Sequence, residues 1–310
     1  MNELAPIGIS TYSRLTHLKN TIGALQNNTL AKHSRLFIFS DAPRVGDEEK
    51  VNNLRRYLHS IDGFKEVTIL ERLENSRAKN SRGGIQQILE GSGKCIFMED
   101  DIVTAPGFLR YMNDALEFYE NDSGILNVTG YSPPLDLTRY EHDYFVLSRF
   151  NGWGAGFWKK KFEAVKDITE DEYQAFITDR KATKLFVRLG GEDMLNLLES
   201  EVSGLIDAYD VKAMFHQFKT NMMTVYPRFS LVQNTGHDVS GVHCGATMKF
   251  HHARLWGKTE GFVFDRNPKV NEQIRRANFK FRSSGYRGKL INFTKKINIY
   301  RLLKKTQRLF

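Results

Sequence analysis

Three consecutive acidic residues, Glu99, Asp100 and Asp101, follow a short apolar run that begins after Lys94. An apolar run of this length next to Gly93 is typical of a buried central strand, so we expect the acids where that strand ends. Adjacent carboxylates repel one another and need a cation, ligand donors or water. Carboxylate oxygens suit Mg²⁺ and Mn²⁺, so the pattern predicts a site for a divalent metal and its anionic ligand. A solvated strand end or a helix cap is the alternative.

Side chains alternate along a strand. Glu99 and Asp101 are therefore expected to face one way and Asp100 the other. One acid would then hold the metal while its neighbour holds another part of the ligand.

The elements that must position these acids are strand and helix repeats. Strands are predicted at Pro6 to Ser10, Arg35 to Asp41 and Val67 to Leu70, with a helix at Glu48 to Ser60. Such repeats predict an α/β fold with a largely parallel sheet. Asp41 ends the second strand, at the edge where open sheets bind ligands.

A polar loop, Thr11 to Arg14, joins the first strand to a helix through His17 to Ile22. Free backbone N–H groups at a helix start attract anions, so a nucleotide contact is expected here. Alternatively, Ser13 or Thr16 only caps the helix.

Four cations, Arg72, Arg77, Lys79 and Arg82, precede a helix predicted from Gly84 to Leu89. They could neutralise a diphosphate, or they could form a solvated helix face, which is the commoner fate of such runs. We select Lys79 and Arg82 as candidate donor contacts.

The run from Phe97 to Val103, together with Pro106 to Leu109, resembles the Glu-Asp-Asp version of the Asp-x-Asp motif of GT-A glycosyltransferases. The resemblance is closest to the N-acetylglucosaminyltransferase I type and to bacterial family 2 sugar transferases. It implies that Asp101 binds Mn²⁺ or Mg²⁺ bridging a nucleotide diphosphate and that Asp100 contacts the ribose. Glu99 is assigned to the same donor site.

The same resemblance extends along roughly residues 5–250 in motif order. It implies that the loop residues Thr11, Tyr12 and Arg14 touch the base and phosphate of the nucleotide, and that Asp41 contacts uracil. The expected fold is GT-A, a Rossmann-like mixed sheet, largely parallel and flanked by helices.

Glycines and aromatic residues interleave between Arg149 and Trp158. Glycine lets a ligand approach the backbone, and aromatic faces hold sugar rings. The stretch resembles the Gly-Trp-Gly strand that lies below the donor sugar in these enzymes, which implies sugar contacts for Trp153 and Gly154. A buried turn filled by tryptophan is the alternative.

Two acids, Glu192 and Asp193, follow a glycine pair and precede an apolar helix. Locally this is a capped helix start, because acids favour the positive end of the helix dipole. The resemblance implies more, since inverting GT-A enzymes keep their general base here. It assigns the base to Asp193 and the orientation of the donor sugar to Glu192.

A late strand is predicted from Tyr226 to Asn234, followed by a glycine-rich loop that contains His243. The loop resembles a signature of bacterial sugar transferases that closes over the diphosphate. A neutral imidazole can ligate a metal or hydrogen-bond a phosphate, so His243 is a candidate metal ligand, with a structural role as the alternative.

Composition limits the class of protein. The 310 residues are 41% apolar, and no window reaches the roughly 18 apolar residues that a transmembrane helix needs. The start of the chain has no basic signal region, so a cytoplasmic protein is expected. Cys95 and Cys244 are the only cysteines, which argues against a disulfide framework or a zinc site.

The net charge of +9 is concentrated at one end: residues 258–310 carry 15 Lys and Arg against 3 acids, whereas residues 1–257 have a net charge of −3. Apolar residues recur every three or four positions from Phe293 to Leu303 among lysines and arginines. This basic amphipathic pattern favours binding to an anionic membrane surface, where each cation contributes on the order of 1 kcal/mol. Packing on the catalytic domain and nucleic-acid binding are the alternatives, and no nucleic-acid motif is present.

We therefore predict a GT-A catalytic domain at 1–257 and a basic helical extension at 258–310. The predicted activity is metal-dependent, inverting transfer of a sugar from a nucleotide sugar, expected to be UDP-linked, to a hydroxyl of a glycan or lipid-linked glycan in surface polysaccharide synthesis. Retention of configuration is not excluded. The rivals are a sugar nucleotidyltransferase and a non-catalytic carbohydrate- or membrane-binding protein. The expected location is the inner face of the membrane.

Overall fold

A computed structural model describes residues 3–237, 249–251 and 254–283. Within these ranges the strands are β1 Ile7–Thr11, β2 Arg35–Ser40, β3 Glu66–Glu71, β4 Lys94–Glu99, β5 Ile102–Thr104, β6 Ile125–Thr129, β7 Tyr144–Leu147, β8 Ala155–Trp158, β9 Met223–Pro227 and β10 Val232–Asn234. The helices are α1 Leu15–Gln26, α2 Glu48–Leu58, α3 Arg77–Ser92, α4 Phe108–Phe118, α5 Lys159–Ala164, α6 Glu170–Thr178, α7 Arg180–Gly190, α8 Met194–Val202, α9 Tyr209–Thr220 and α10 Glu272–Arg282, with a 3₁₀ turn at Ala31–His33.

The central sheet has eight strands in the order β3-β2-β1-β4-β8-β6-β9-β7. The first four are parallel, β8 runs antiparallel between β4 and β6, and β7 runs antiparallel to β9 at the far edge. The predicted α/β fold with a mixed sheet flanked by helices is confirmed. Of the basic extension, residues 284–310 lie outside the described part of the chain.

The strands next to the acids are buried because helices cover both faces of the sheet. Every residue of β1 is buried, and so are the four central residues of β4. Glu99, which ends β4, is partly exposed. Strands buried on both faces read as continuous apolar runs, which is why the sequence pattern located them. The predicted helix beginning at Phe108 is α4, whose apolar face packs into the same core. No described helix is long and apolar enough to cross a bilayer.

Two element boundaries differ from the predictions. The expected strand from Tyr226 to Asn234 is two strands, because β9 belongs to the central sheet whereas β10 leaves it to pair with β5. The chain must turn between Pro227 and Val232 to change partners. The helix expected from Gly84 begins earlier, at Arg77, because the hydroxyl of Ser76 accepts a hydrogen bond from the Lys79 backbone and caps it.

The beginning of the predicted extension packs on the sheet domain. Phe262 and Ile274 belong to the main hydrophobic core, and the Phe262 ring lies 5.2 Å from the ring of Tyr111. Lys258 forms an ion pair with Asp143 at 2.7 Å. The described residues of the extension are thus held by the same core as the sheet, while the division at residue 257 stays a prediction.

This packing gives a test at Gly107, which precedes α4. A Cβ atom at Gly107 would lie 2.0 Å from the backbone oxygen of Lys258. Because backbone cannot rotate away, Gly107→Ala should lower the free energy of unfolding by about 1–3 kcal/mol. Denaturant unfolding measures this. The control is Gly83→Ala inside α3, where nothing lies within 4 Å, and it should be neutral or stabilising. Equal effects of the two substitutions would contradict the packing.

Candidate active site

A cleft of about 390 Å³ opens at the carboxyl ends of β1, β2 and β4. Parallel strands present their carboxyl ends at one edge of a sheet, which is where open α/β sheets bind ligands. The lining combines the three acids with the loop after β1, the loop after β2 and the first turns of α3. The residues are Ser10, Thr11, Tyr12, Ser13, Arg14, Asp41, Arg44, Asp47, Lys50, Asn75, Arg77, Asn80, Ser81, Glu99, Asp100, Asp101 and Gly236.

The acids do not alternate as predicted, because β4 ends at Glu99 and the next two residues form a turn. Asp100 and Asp101 consequently face the same cation. One guanidinium nitrogen of Arg14 lies 2.5 Å from Asp100 Oδ1 and 2.8 Å from Asp101 Oδ2. Glu99 instead forms an ion pair with Arg77 at 3.2 Å.

Burial is the largest influence on the pKa of Asp100 and of Glu99. It raises the pKa of Asp100, against the charge of Arg14, and it raises the pKa of Glu99 together with the charge of Asp101. Asp100 also accepts a hydrogen bond at 2.8 Å from the hydroxyl of Thr11. The cleft thus holds carboxylates that a cationic ligand would help to keep ionised.

The acids fit a divalent metal only in part. Asp101 Oδ1 is buried and has no hydrogen-bond partner among the described residues, so one carboxylate oxygen is available to a metal. In the described part of the chain, no group of three or more His, Cys, Asp or Glu side chains is arranged for metal binding. Mg²⁺ commonly takes one or two carboxylates and completes its shell with phosphate and water, which suits Asp101. The predicted ligand His243 lies outside the described residues.

The loop after β1 carries the residues predicted to touch the nucleotide. The hydroxyl of Tyr12 donates to Asp47 Oδ2 at 2.8 Å and accepts from the backbone N–H of Arg44 at 3.0 Å, which holds the ring at the cleft. Arg14 is the N-cap residue of α1, and no side chain caps this helix. The alternative in which Ser13 or Thr16 caps it is therefore wrong, and the helix start keeps its anion-binding character.

Asp41 lines the cleft, but its carboxylate is largely occupied. It accepts hydrogen bonds from the backbone N–H groups of Ala42 and Ser76 and from the amide of Asn75. These bonds tie the loop after β2 to the start of α3. The contact of Asp41 with uracil stays a prediction.

Lys79 and Arg82, which we selected as donor contacts, do not line the cleft. Lys79 pairs with Glu74 at 3.1 Å, and Arg82 lies 3.7 Å from Asp167. Both belong to α3, whose early start turns these positions away from the acids. They behave as the solvated helix face that the sequence left as the alternative.

Three other cations line the cleft instead: Arg44, Lys50 and Arg77. Arg77 is the first residue of α3, so it lies at the mouth of the cleft one turn before Ser81, which also lines it. Sequence reasoning named Arg77 among four cations that could neutralise a diphosphate but did not select it, and it missed Arg44 and Lys50. The signal that could have found Arg77 is Ser76, because a serine at this point predicts the helix start and hence the face that each following residue occupies.

Trp153 and Gly154 do not line the cleft. The Trp153 ring packs edge-on against Tyr131 at 4.8 Å and His237 at 5.6 Å. Gly154 has φ +62°, and a Cβ atom there would lie 3.0 Å from the ring of Phe108. Gly154 is thus the turn glycine before β8, as in the buried-turn alternative.

Trp153 is nevertheless connected to Asp101 through two intervening residues, Gly236 and His237. Gly236 lines the cleft so tightly that a Cβ atom would lie 2.1 Å from Asp101 Oδ2. The next residue, His237, contacts the Trp153 ring. The aromatic cluster of Trp153, Tyr131 and His237 therefore begins one residue beyond Gly236, which lines the cleft.

Asp193 forms a two-point ion pair with Arg149, a residue that sequence reasoning did not single out. Arg149 Nη1 lies 2.9 Å from Oδ1 and Nη2 lies 2.7 Å from Oδ2, and the arginine side chain is only 6% exposed. Asp193 is the N-cap residue of α8 but makes no side-chain cap bond, so capping does not account for it. Glu192 lies in the turn before the same helix.

The ion pair sets the basicity of Asp193. Burial raises the pKa of this carboxyl, but the hydrogen bonds and charge of Arg149, together with the charge of Arg282, outweigh burial, and the pKa lies below its ordinary value. A carboxylate with a low pKa is a weaker base, but it stays ionised over a wide pH range. Asp193 is therefore ionised throughout the neutral range.

The lowered pKa has a consequence for stability. A depressed native pKa adds stability that is fully present above the unfolded value of 3.8 and is lost as pH falls through the native value. The melting-temperature difference between wild type and Asp193→Asn should thus be constant from about pH 5 to 8 and shrink below pH 3.8. Thermal unfolding across pH measures it. A difference that stays constant at acid pH would contradict the ion pair.

No protein-family model matches the sequence, and no curated protein matches it. Solved structures are similar to it, including the following three. The mannosyltransferase PcManGT from Pyrobaculum calidifontis, in complex with GDP-Man and Mn²⁺, has a TM-score of 0.37 and 15% identity, over 52% of this chain and 45% of its own. TarS 1–349 of S. aureus has a TM-score of 0.37 and 11% identity, over 53% and 50%. A second TarS structure has a TM-score of 0.37 and 9% identity, over 72% and 36%. The chain thus spans half or less of each of these structures.

Proposed function

We propose that this chain is a metal-dependent glycosyltransferase that moves a sugar from a nucleotide sugar to a hydroxyl of a glycan or lipid-linked glycan. The observation that carries the proposal is the cleft in which two buried carboxylates, Asp100 and Asp101, meet the loop after β1 at the carboxyl edge of parallel strands. This arrangement suits a ligand that brings both a cation and phosphates. A nucleotide sugar with its metal has this chemistry.

In the proposed donor complex, Asp101 holds Mn²⁺ or Mg²⁺ through its unpaired oxygen. When bound, the metal supplies Lewis-acid stabilisation of the departing diphosphate. The chain's own cations, Arg44, Lys50 and Arg77, line the same cleft and offset the remaining phosphate charge. Tyr12 offers a ring at the cleft for the base of the nucleotide.

We assign the role of general base to Asp193, in a reaction that inverts the configuration of the anomeric carbon. The base must take the proton of the acceptor hydroxyl as that oxygen attacks the anomeric carbon. Arg149 keeps the carboxylate ionised and fixes its orientation through two hydrogen bonds. The aromatic cluster of Trp153, Tyr131 and His237, which begins next to Gly236, supplies a face for a sugar ring.

The two rivals make different predictions. A sugar nucleotidyltransferase would release pyrophosphate, whereas a glycosyltransferase releases a nucleoside diphosphate, so product analysis separates them. A non-catalytic carbohydrate- or membrane-binding protein would keep its phenotype when Asp193 is replaced by alanine. The basic pattern proposed for membrane binding lies mostly in residues 284–310, outside the described part of the chain.

Thermal stabilisation by nucleotides tests the donor site directly. UDP, GDP and their sugar conjugates are added to the protein with and without Mn²⁺. A ligand at about 100 times its dissociation constant should add roughly 2.7 kcal/mol to the free energy of unfolding, and only with metal. The responding nucleotide also identifies the donor class, including whether it is UDP-linked. Absence of any response across the panel would contradict a nucleotide-sugar site.

A further inference from the structure

One side chain, Arg14, forms ion pairs with both Asp100 and Asp101 in the cleft. Its Nη2 atom lies 2.5 Å from Asp100 Oδ1 and 2.8 Å from Asp101 Oδ2. The two aspartates are 3% and 5% exposed, and buried neighbouring carboxylates need a nearby cation to ionise together. Arg14 therefore offsets part of the negative charge that a bound divalent metal would offset.

Arg14 in this position and a divalent metal on Asp101 compete for the negative charge of the same carboxylate. A metal of this class binds carboxylate oxygens at about 2.0–2.2 Å. Arg14 Nη2 already lies 2.8 Å from Asp101 Oδ2. Two cations sharing one buried carboxylate repel each other strongly, because the local dielectric is low. This repulsion favours movement of the guanidinium away from Asp101 when a metal binds.

The side chain has room to move and a reason to stay in the cleft. Arg14 is 24% exposed, and within the described residues its side chain donates only to the two aspartates. It stands at the N-terminus of α1, where an anion is favoured. The guanidinium has no room on the side of Gly236, since a Cβ atom at Gly236 would lie only 2.9 Å from Arg14 Nη1. The open cleft is therefore the direction left to the guanidinium.

We propose that Arg14 is an internal counterion that the incoming metal displaces, and that its guanidinium then binds the phosphates of the nucleotide. The proposal rests on the proposed donor site. Metal alone weakens the charge-assisted hydrogen bond from Arg14 to Asp101 and leaves Asp100 as the remaining anionic partner of the guanidinium. With a nucleoside diphosphate present, Arg14 exchanges one anionic partner for another. Metal and nucleotide therefore raise each other's affinity, and by thermodynamic linkage they do so equally.

The first arm of the test measures Mn²⁺ alone, by the electron paramagnetic resonance signal of free Mn²⁺. Without nucleotide, Arg14→Gln should bind Mn²⁺ about tenfold more tightly than wild type, because the competing cation is gone. The matched control is Arg77→Gln, which removes the same charge from the same cleft but pairs with Glu99. It should change Mn²⁺ affinity less than about threefold. Arg14→Gln that binds Mn²⁺ no more tightly than wild type, or both variants gaining equally, overturns the exchange.

The second arm adds UDP or GDP and asks how far each tightens Mn²⁺ binding. The tightening should be large in wild type and severalfold smaller in Arg14→Gln, since that variant has no guanidinium to pass to the phosphates. Equal tightening in both proteins overturns the transfer of Arg14 to the phosphates. If no nucleotide affects Mn²⁺ binding to wild type, the donor site itself fails, whereas the Mn²⁺ measurement alone still decides whether Arg14 competes with the metal.

Melting curves establish that each variant is folded before titration. If Arg14→Gln does not fold, Arg14→Lys replaces it. Lysine keeps the charge, but its compact ammonium lacks the planar fork of the guanidinium. The Mn²⁺ affinity of Arg14→Lys should lie between those of wild type and the expected Arg14→Gln value, and an affinity equal to or below wild type overturns the exchange.

Discussion

Asp101→Asn should lower the rate of sugar transfer by about a thousandfold, which corresponds to roughly 4 kcal/mol of transition-state stabilisation. The buried Oδ1, which has no hydrogen-bond partner among the described residues, is the atom through which we expect the metal to bind, and an amide oxygen is a much poorer ligand for a hard cation. The same substitution should abolish the stabilisation by nucleotide that depends on Mn²⁺. Release of nucleoside diphosphate measures the rate, and thermal unfolding measures the binding.

The matched control for this prediction is Asp47→Asn. Asp47 lines the same cleft, and its carboxylate binds the Tyr12 hydroxyl and Lys50 rather than Arg14. Its loss should change nucleotide affinity modestly and leave the metal requirement intact. If the two variants lose activity equally, the effect reflects the charge of the cleft in general, and the assignment of the metal to Asp101 fails.

The strands and the position of the acids could be predicted because their causes are local. A strand buried on both faces must be apolar throughout, so β1, β2 and β4 are visible as short runs between polar loops. Parallel strands end at one edge, so residues that follow different strands come together there. That rule alone places Asp41 and Asp100 in one cleft with the loop after β1.

The contacts inside the cleft were harder to predict because they depend on where elements begin and end. Because β4 ends at Glu99, Asp100 and Asp101 turn together toward Arg14 instead of alternating. A difference of one residue in the length of β4 would change the direction of these side chains. Hydrophobic periodicity does not locate the end of a strand to within one residue. The early start of α3 likewise moves Lys79 out of the cleft.

The partner of Asp193 could not be predicted from spacing at all. Arg149 lies 44 positions earlier in the chain, in an irregular segment before β8. Pairs so distant meet only through the tertiary fold. The sequence singled out Asp193, which follows Glu192 after a glycine pair, whereas Arg149 entered only as the first residue of the glycine- and aromatic-rich stretch.

Asp193→Asn should lower the turnover rate by about 10²–10⁴-fold while leaving metal-dependent nucleotide stabilisation unchanged, because a general base acts on the acceptor and not on the donor. The control is Glu199→Gln, an exposed acid on the same helix, which should retain activity. If Asp193→Asn loses nucleotide binding as well, Asp193 supports the donor site and the base lies elsewhere.

The dependence of the rate on pH then tests the role of Arg149 as a positioning residue. A base is active only when ionised, so the rate should fall on the acid side as pH drops through the pKa of Asp193. Arg149 lowers that pKa, so in wild type the rate should stay level down to about pH 5. Arg149→Gln removes the charge that favours the carboxylate, and the acid limb should move to higher pH as burial alone raises the pKa. A structural role alone would lower the rate without moving this limb, so an unmoved limb would show that Arg149 does not tune the base.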